Sequence, residues 1–269
     1  MSDDPTELPA HSDAAWADLR ALTRARIALG RSGAAQRSRD VLAFGVDHAL
    51  ARDAVHLGLD EAALQAELAG QGWETLSLHS AAPDRARYLM RPDLGRRLSP
   101  ESAAALDAAC GRWGEIELLP VLADGLSALA VQRHAPAVLA ALRERAGPGL
   151  RLGPVLIARQ ARVALGDEIG ERLRAQAVLM LIGERPGLSS PDSLGLYLTW
   201  APRRGRSDAE RNCISNVRAE GLAPTEAARK LLWLLREARR LGQTGVALKD
   251  QSDAPALEAA PAAPRLSGA

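Results

Sequence analysis

The chain has 269 residues, 47% of them hydrophobic, and a formal net charge of +1 at pH 7. One large domain or two modest ones with a sizeable core fit that length, and so balanced a charge argues against nucleic acid or a membrane surface as partner. Two cysteines, Cys110 and Cys213, stand without C-x-x-C spacing, which argues against a disulfide framework or zinc cluster and points to a reducing cytosol.

Residues 1–12 are acidic, lack an apolar core and read as a flexible lead rather than a secretory signal. No apolar run approaches the length of a membrane span. A helix is expected from Ser12 or Asp13 to Leu29, with Trp16, Leu19 and Leu22 at helical spacing and Gly30 as its stop. A longer helix is predicted over residues 40–57, with Ala43, Val46, Leu50, Ala54 and Leu57 as its core-facing row. A second row, Phe44, His48, Arg52 and His56, mixes polarity and is expected to face outward or toward a partner subunit. His48 and His56 lie two turns apart, too far to share a metal. Asp60 caps a helix over 61–69, residues 84–89 form a short helix, and Ser99-Pro100-Glu101 opens another that ends near Cys110. The first ~110 residues thus read as helical, with little strand signal.

Alternation follows. Residues 115–122, 154–158, 177–182 and 194–200 read as strands, with helices over 135–145 and 167–174 between them. A helix over 225–241 has Ala227, Leu231, Leu234, Leu235 and Ala238 on one face and stops at Gly242. The expected fold is therefore α/β: a lead at 1–12, a helical N-terminal domain at 13–110, a mainly parallel α/β domain at 111–249 and a disordered Ala/Pro-rich tail at 250–269.

Several blocks then carry a resemblance. They are Thr23-Arg24-Ala25-Arg26-Ile27-Ala28-Leu29-Gly30, His48 to His56, Asp84-Arg85 with Tyr88-Leu89, and Arg91-Pro92-Asp93-Leu94-Gly95-Arg96. Three more are Ala161 to Gly170, Leu181-Ile182-Gly183-Glu184-Arg185-Pro186-Gly187-Leu188, and Arg211-Asn212-Cys213-Ile214-Ser215-Asn216. In this order they resemble the small (light) subunit of adenosylcobalamin-dependent ethanolamine ammonia-lyase. The resemblance implies a helical N-terminal domain and a Rossmann-like C-terminal one. It also implies a large barrel subunit as partner, with adenosylcobalamin between the two subunits, and a reaction that converts ethanolamine to acetaldehyde and ammonia by a radical route. Substrate residues would belong to the partner, leaving this chain cofactor contacts and no catalytic or metal-ligating residue. The implied location is the cytoplasm, a bacterial microcompartment being the narrower alternative.

The implied cofactor contacts fall on Val163, Glu184 and Cys213. Val163 lies past the 154–158 strand, Glu184 immediately past the 177–182 strand, and Cys213 is expected in the loop after the 194–200 strand. Ligand residues of open α/β sheets gather at such strand ends. A carboxylate accepts amide N–H bonds, and Val163 and Cys213 offer small apolar or weakly polar surface. By residue chemistry alone, Val163 reads as packing, Cys213 as a buried small hydrophobe and Glu184 as a surface carboxylate beside Arg185. No Asp-x-His-x-x-Gly occurs, so a cobalamin here keeps its own lower base. The rivals are a nucleotide- or dinucleotide-binding oxidoreductase and a non-catalytic interaction protein. The first lacks a G-x-G-x-x-G between strand and helix, and no Walker A pattern or nucleophile elbow is present.

Overall fold

A computed structural model of the chain describes residues 11–23 and 25–253. Most of the expected lead and the tail beyond Asp253 lie outside the described residues. In chain order, α1 (His11–Ala21), a small hairpin of β1 (Arg31–Ser32) and β2 (Ala35–Gln36), α2 (Ser38–His56) and α3 (Glu61–Gly70) come first. They are followed by β3 (Thr75–His79), α4 (Arg85–Met90), α5 (Pro100–Ala109), β4 (Leu118–Ala123), α6 (Ala128–Ala146) and β5 (Val155–Arg159). Then come α7 (Leu165–Arg172), β6 (Ala177–Gly183), β7 (Leu194–Trp200), β8 (Asn212–Val217) and α8 (Pro224–Leu241).

Six strands form one sheet in the order β3-β5-β4-β6-β7-β8. β3, β5, β4 and β6 run parallel, whereas β7 pairs antiparallel with β6 and β8 antiparallel with β7. The protein is thus mixed α/β with a mainly parallel sheet. β6 is central, and all seven of its residues are buried, as a strand covered on both faces requires. One face packs Leu179, Leu181, Leu196, Leu198 and Ile214 against α6 and α8. The other packs Leu119, Val121, Leu156, Met180 and Ile182 against Leu106 of α5 and Leu165 and Ile169 of α7.

Side-chain caps fix where the helices begin. Asp60, Asp84 and Ser99 accept from the backbone N–H of Ala63, Arg87 and Ser102 at 3.0, 2.8 and 3.2 Å, which satisfies first-turn donors. Ser127 does the same for α6 and donates its hydroxyl to Pro191 O at 2.8 Å, tying that helix to the loop after β6. α8 ends on Gly242, whose φ of 68° is the left-handed stop expected.

Four expectations need correction. Thr75–His79 is a strand, and it adds to the free edge of β5 in a segment read as helical. α6 starts seven residues before the expected 135, because Pro136 lies within the helix instead of at its start. In α2 the row expected to face the core does not: of its members only Ala54 is buried, while Val46 and Leu50 are 59% and 53% exposed and Leu57 is exposed too. Phe44 of the other row is also exposed, so periodicity here marks a helix that is not covered by this chain. α1 likewise exposes Trp16, Leu19 and Leu22, and it ends at Ala21 rather than Leu29.

Candidate functional site

The site grows from the place where the sheet changes from parallel to antiparallel. α7 and α5 cover one face as far as β6, and the loop that follows β7 covers its lower end through Arg211. That guanidinium donates to both Asp167 oxygens of α7 at 2.5 and 2.7 Å and to Thr199 of β7 at 3.0 Å. Above this pair the face over β7 and β8 is open, and Cys213, Ser215 and Asn216 are exposed on β8.

Glu184 stands at the top of this open strip. Gly183 ends β6 in a space no side chain could share, since a Cβ there would lie 2.0 Å from Ser127 O and 2.7 Å from Asp124 O. The chain therefore leaves β6 pressed against the start of α6. Glu184 N donates to Ser193 O at 2.9 Å. Its carboxylate Oε2 accepts from the Ser193 hydroxyl and from Asn216 N, the latter at 3.4 Å. Oε1 accepts no hydrogen bond from the described residues; it lies over Gly195, where a Cβ would come within 2.8 Å of it. Tyr197 reaches the same glycine, its ring edge 3.0 Å from that Cβ position, so the two side chains meet over Gly195.

Tyr197 pairs in register with Cys213 on β8, and its hydroxyl donates a hydrogen bond to the Cys213 sulfur. Although solvent reaches Cys213, the atoms around its sulfur desolvate the thiolate and raise the thiol above its ordinary value. The Glu184 charge adds to that rise and the Tyr197 bond opposes it. Burial is likewise the main reason the Tyr197 hydroxyl holds its proton well above the ordinary tyrosine range.

Cys213 was expected in a loop, and the structure places it inside β8. A polar strand, Asn212–Val217, forms because β7 offers a free edge, and a register irregularity between Leu194 and Leu196 accommodates the extra residue. Cys213 therefore lies on the strand face below Glu184 rather than at the strand end. Val163 sits in the turn between β5 and α7, partly buried against the same cluster that Tyr197 packs on. Glu184, Tyr197 and Cys213 are thus brought together, and Val163 packs on the same apolar cluster as Tyr197. They form an open face. A cleft of ≈ 670 Å3 among Arg96, Arg97, Asp167, Glu168 and Arg204 reaches Ala164 but does not include the three.

The sequence reading passed over Tyr197, Ser193 and Asn216. The alternation of residues 194–200 does put Gly195 and Tyr197 on one face, but nothing local tells that Glu184 folds back over them. The arrangement offers a carboxylate fixed through one oxygen, an aromatic edge, a weakly polar sulfur and an apolar side chain. Among the described residues no group of three His, Cys, Asp or Glu could hold a metal ion, and no helix is long and apolar enough to cross a membrane.

A family model described as ethanolamine ammonia-lyase light chain matches residues 13–249. A Ralstonia nicotianae protein named ethanolamine ammonia-lyase small subunit is 55% identical over 262 residues, 96% of this chain and 97% of the relative. Proteins of the same name from Xanthomonas campestris pv. campestris (strain B100) and Pseudomonas syringae pv. tomato are each 58% identical. These matches cover 93% and 90% of this chain and 94% and 85% of the relatives.

Proposed function

The chain belongs to the ethanolamine ammonia-lyase light-chain family, and from that premise we propose that it binds adenosylcobalamin through Val163, Glu184 and Cys213 in a complex with a large catalytic subunit. The observation that carries this reading is the Glu184 carboxylate, fixed through Oε2 and held over Gly195 with Oε1 bonded by no other described residue beside an open strand face. A corrin ring bears neutral amide side chains, and a carboxylate fixed by Ser193 and Asn216 accepts their N–H groups. Tyr197 and Val163 give apolar contact, and Cys213 a small polarizable one. The bound cofactor would supply the radical chemistry that turns ethanolamine into acetaldehyde and ammonia; this chain orients the cofactor and shields one side of it from water.

An open half-site fits a cofactor held between two subunits. In this reading residues 111–249, with β3 and α5 added to their sheet and core, are the Rossmann-like cofactor domain, and α1 and α2 ahead of them serve assembly. The exposed Trp16, Leu19, Leu42, Val46 and Leu50 of α1 and α2 are apolar surface that a subunit interface would cover. Ethanolamine would meet side chains of the partner, in the cytoplasm or in a microcompartment within it.

Co-expression with the large subunit, followed by titration with adenosylcobalamin, tests the reading. The complex should bind the cofactor tightly, and the pure chain should show no deaminase turnover. A complex that forms and turns over with all three contact residues replaced by alanine, at unchanged cofactor affinity, would remove the site.

A further inference from the structure

Two guanidinium groups flank one buried ring at the ends of β4 and β5. Arg85 lies 4.9 Å and Arg162 4.3 Å from the centre of Tyr88, whose ring is fully buried and whose hydroxyl donates to Ala161 O at 3.0 Å. Gly95 lets this stack close up, because a Cβ there would sit 2.9 Å from both Arg162 Cγ and the Tyr88 ring. Arg85 is committed within the fold: it donates to Val55 O at 2.7 Å and to Gly125 O at 2.8 Å, and lies 3.7 Å from Asp124. Asp124 in turn accepts from Gln160 N and Ala161 N at 3.0 and 3.2 Å.

Arg162 is the exception. It is half-buried and stacked, yet among the described residues its side chain forms no hydrogen bond or ion pair, and its buried Nε is unpaired there, as is Nη2 of Arg85. A partly desolvated cation without a counter-ion is costly, and a guanidinium presents a planar fork of donors that fits two phosphate oxygens. Arg162 adjoins Val163 in the chain. A continuous line of contacts also joins it to Glu184: Arg162 on Tyr88, Tyr88 on Arg85, and Arg85 on the carbonyl of Gly125. Gly125 lies against Gly183, where a Cβ would come 2.3 Å from Gly183 O, and Gly183 precedes Glu184.

We propose that Arg162 binds the phosphodiester of the cofactor's nucleotide arm while Glu184 takes amides of the corrin. The inference rests on the cobalamin reading above. Corrin side chains are neutral, so the phosphodiester is the one anionic group on the cofactor's periphery. A cation fixed by stacking selects it, and the bidentate, charge-assisted geometry makes the contact a strong one.

The test uses the assembled complex and three probes: adenosylcobalamin, adenosylcobinamide, which lacks the phosphate and nucleotide, and adenosylcobinamide phosphate. Arg162→Gln keeps the stem that packs on Gly95 and Tyr88 and drops the charge, and Arg162→Lys keeps the charge without the fork. Arg162→Gln should weaken adenosylcobalamin and adenosylcobinamide phosphate by at least about tenfold, leave adenosylcobinamide unchanged and flatten the salt dependence of binding, with Arg162→Lys between. Equal loss for all three probes, or no loss for any, would overturn the inference alone. A wild-type complex that binds none of the three would overturn the cobalamin reading, and this inference with it.

Discussion

On one side of the sheet, α6 and α8 bury Leu179, Leu181, Leu196, Leu198 and Ile214 in a continuous layer. On the other, the helical cover of α5 and α7 stops at β6, and Gly195, Tyr197 and Cys213 lie beyond it. The two faces share strands and register, yet they follow different rules. The covered face spends its residues on close packing, where each lost methylene is felt. The uncovered strip keeps polar atoms that meet solvent here and that a ligand or a second subunit can meet instead. The boundary between them is the Asp167–Arg211 pair, which closes the packed part of the open face.

That contrast predicts a separation of stability from affinity. The largest effect belongs to the boundary. Asp167→Asn would take away the buried partner of Arg211 and leave its charge only the exposed Asp208 carboxylate at 3.4 Å, and stability should fall by ~3–5 kcal/mol. Denaturant melts check this; a loss below about 1 kcal/mol would mean the pair is not a structural closure. Next comes Glu184→Ala, which should weaken adenosylcobalamin by roughly tenfold to a hundredfold, the worth of a charge-assisted hydrogen bond of ~1.5–3 kcal/mol. Glu184→Gln keeps one acceptor oxygen and should lose less. Both should melt within about 1 kcal/mol of wild type, so calorimetry and cofactor titration on the same samples should separate the two faces. Equal affinities across wild type and both variants would take Glu184 out of the site.

The covered face was the more readable of the two. β6 declares itself by an unbroken apolar run ending in Gly183, and α8 by its apolar row and its Gly242 stop. Both signals are local, and local periodicity is what a sequence carries most directly. β3 and β8 are different: Thr75–His79 is short, and Asn212–Val217 is half polar, so each owes its strand state to the edge of a neighbour. α2 misled for the opposite reason, since its apolar row is real but faces away from this chain. Val163, Glu184 and Cys213 all came from the resemblance; strand-end logic fits the positions of the first two, whereas the meeting of Cys213 with Tyr197 depends on a β7–β8 register that no local pattern specifies.

A smaller effect is expected from pH at the base of the packed side. Glu117, just before β4, is held below its ordinary value of 4.5 first by the backbone N–H of Arg151 and then by the charges of Arg239 and Arg151. A depressed carboxyl contributes stability that is complete above its unfolded value and is lost as pH falls through its folded one. The melting temperature should therefore drop on the acid side of about 4.5, and Glu117→Gln should lower the plateau and shallow that acid limb. An acid limb identical in the two proteins would assign the loss to other carboxylates.

The smallest effect, and the finest probe of the open strip, is the Cys213 thiol. Its proton is held up chiefly by desolvation and further by the Glu184 charge, against the lowering effect of the Tyr197 hydrogen bond. The two neighbours therefore act with opposite signs. Tyr197→Phe removes the donor and should move the thiol higher; Glu184→Gln removes the negative charge and should move it lower. The pH dependence of alkylation reads this directly, provided that Cys110, also exposed, is first replaced by serine. Because only the thiolate reacts, the wild-type rate should rise at higher pH than for a free cysteine, with the Phe variant displaced upward and the Gln variant downward. Shifts of the same sign would mean that Glu184 and Tyr197 do not meet beside Cys213 as the register places them. Bound adenosylcobalamin should then slow alkylation at every pH if its contact surface includes this sulfur, and undiminished rates in a saturated complex would confine the contact to Glu184 and Val163.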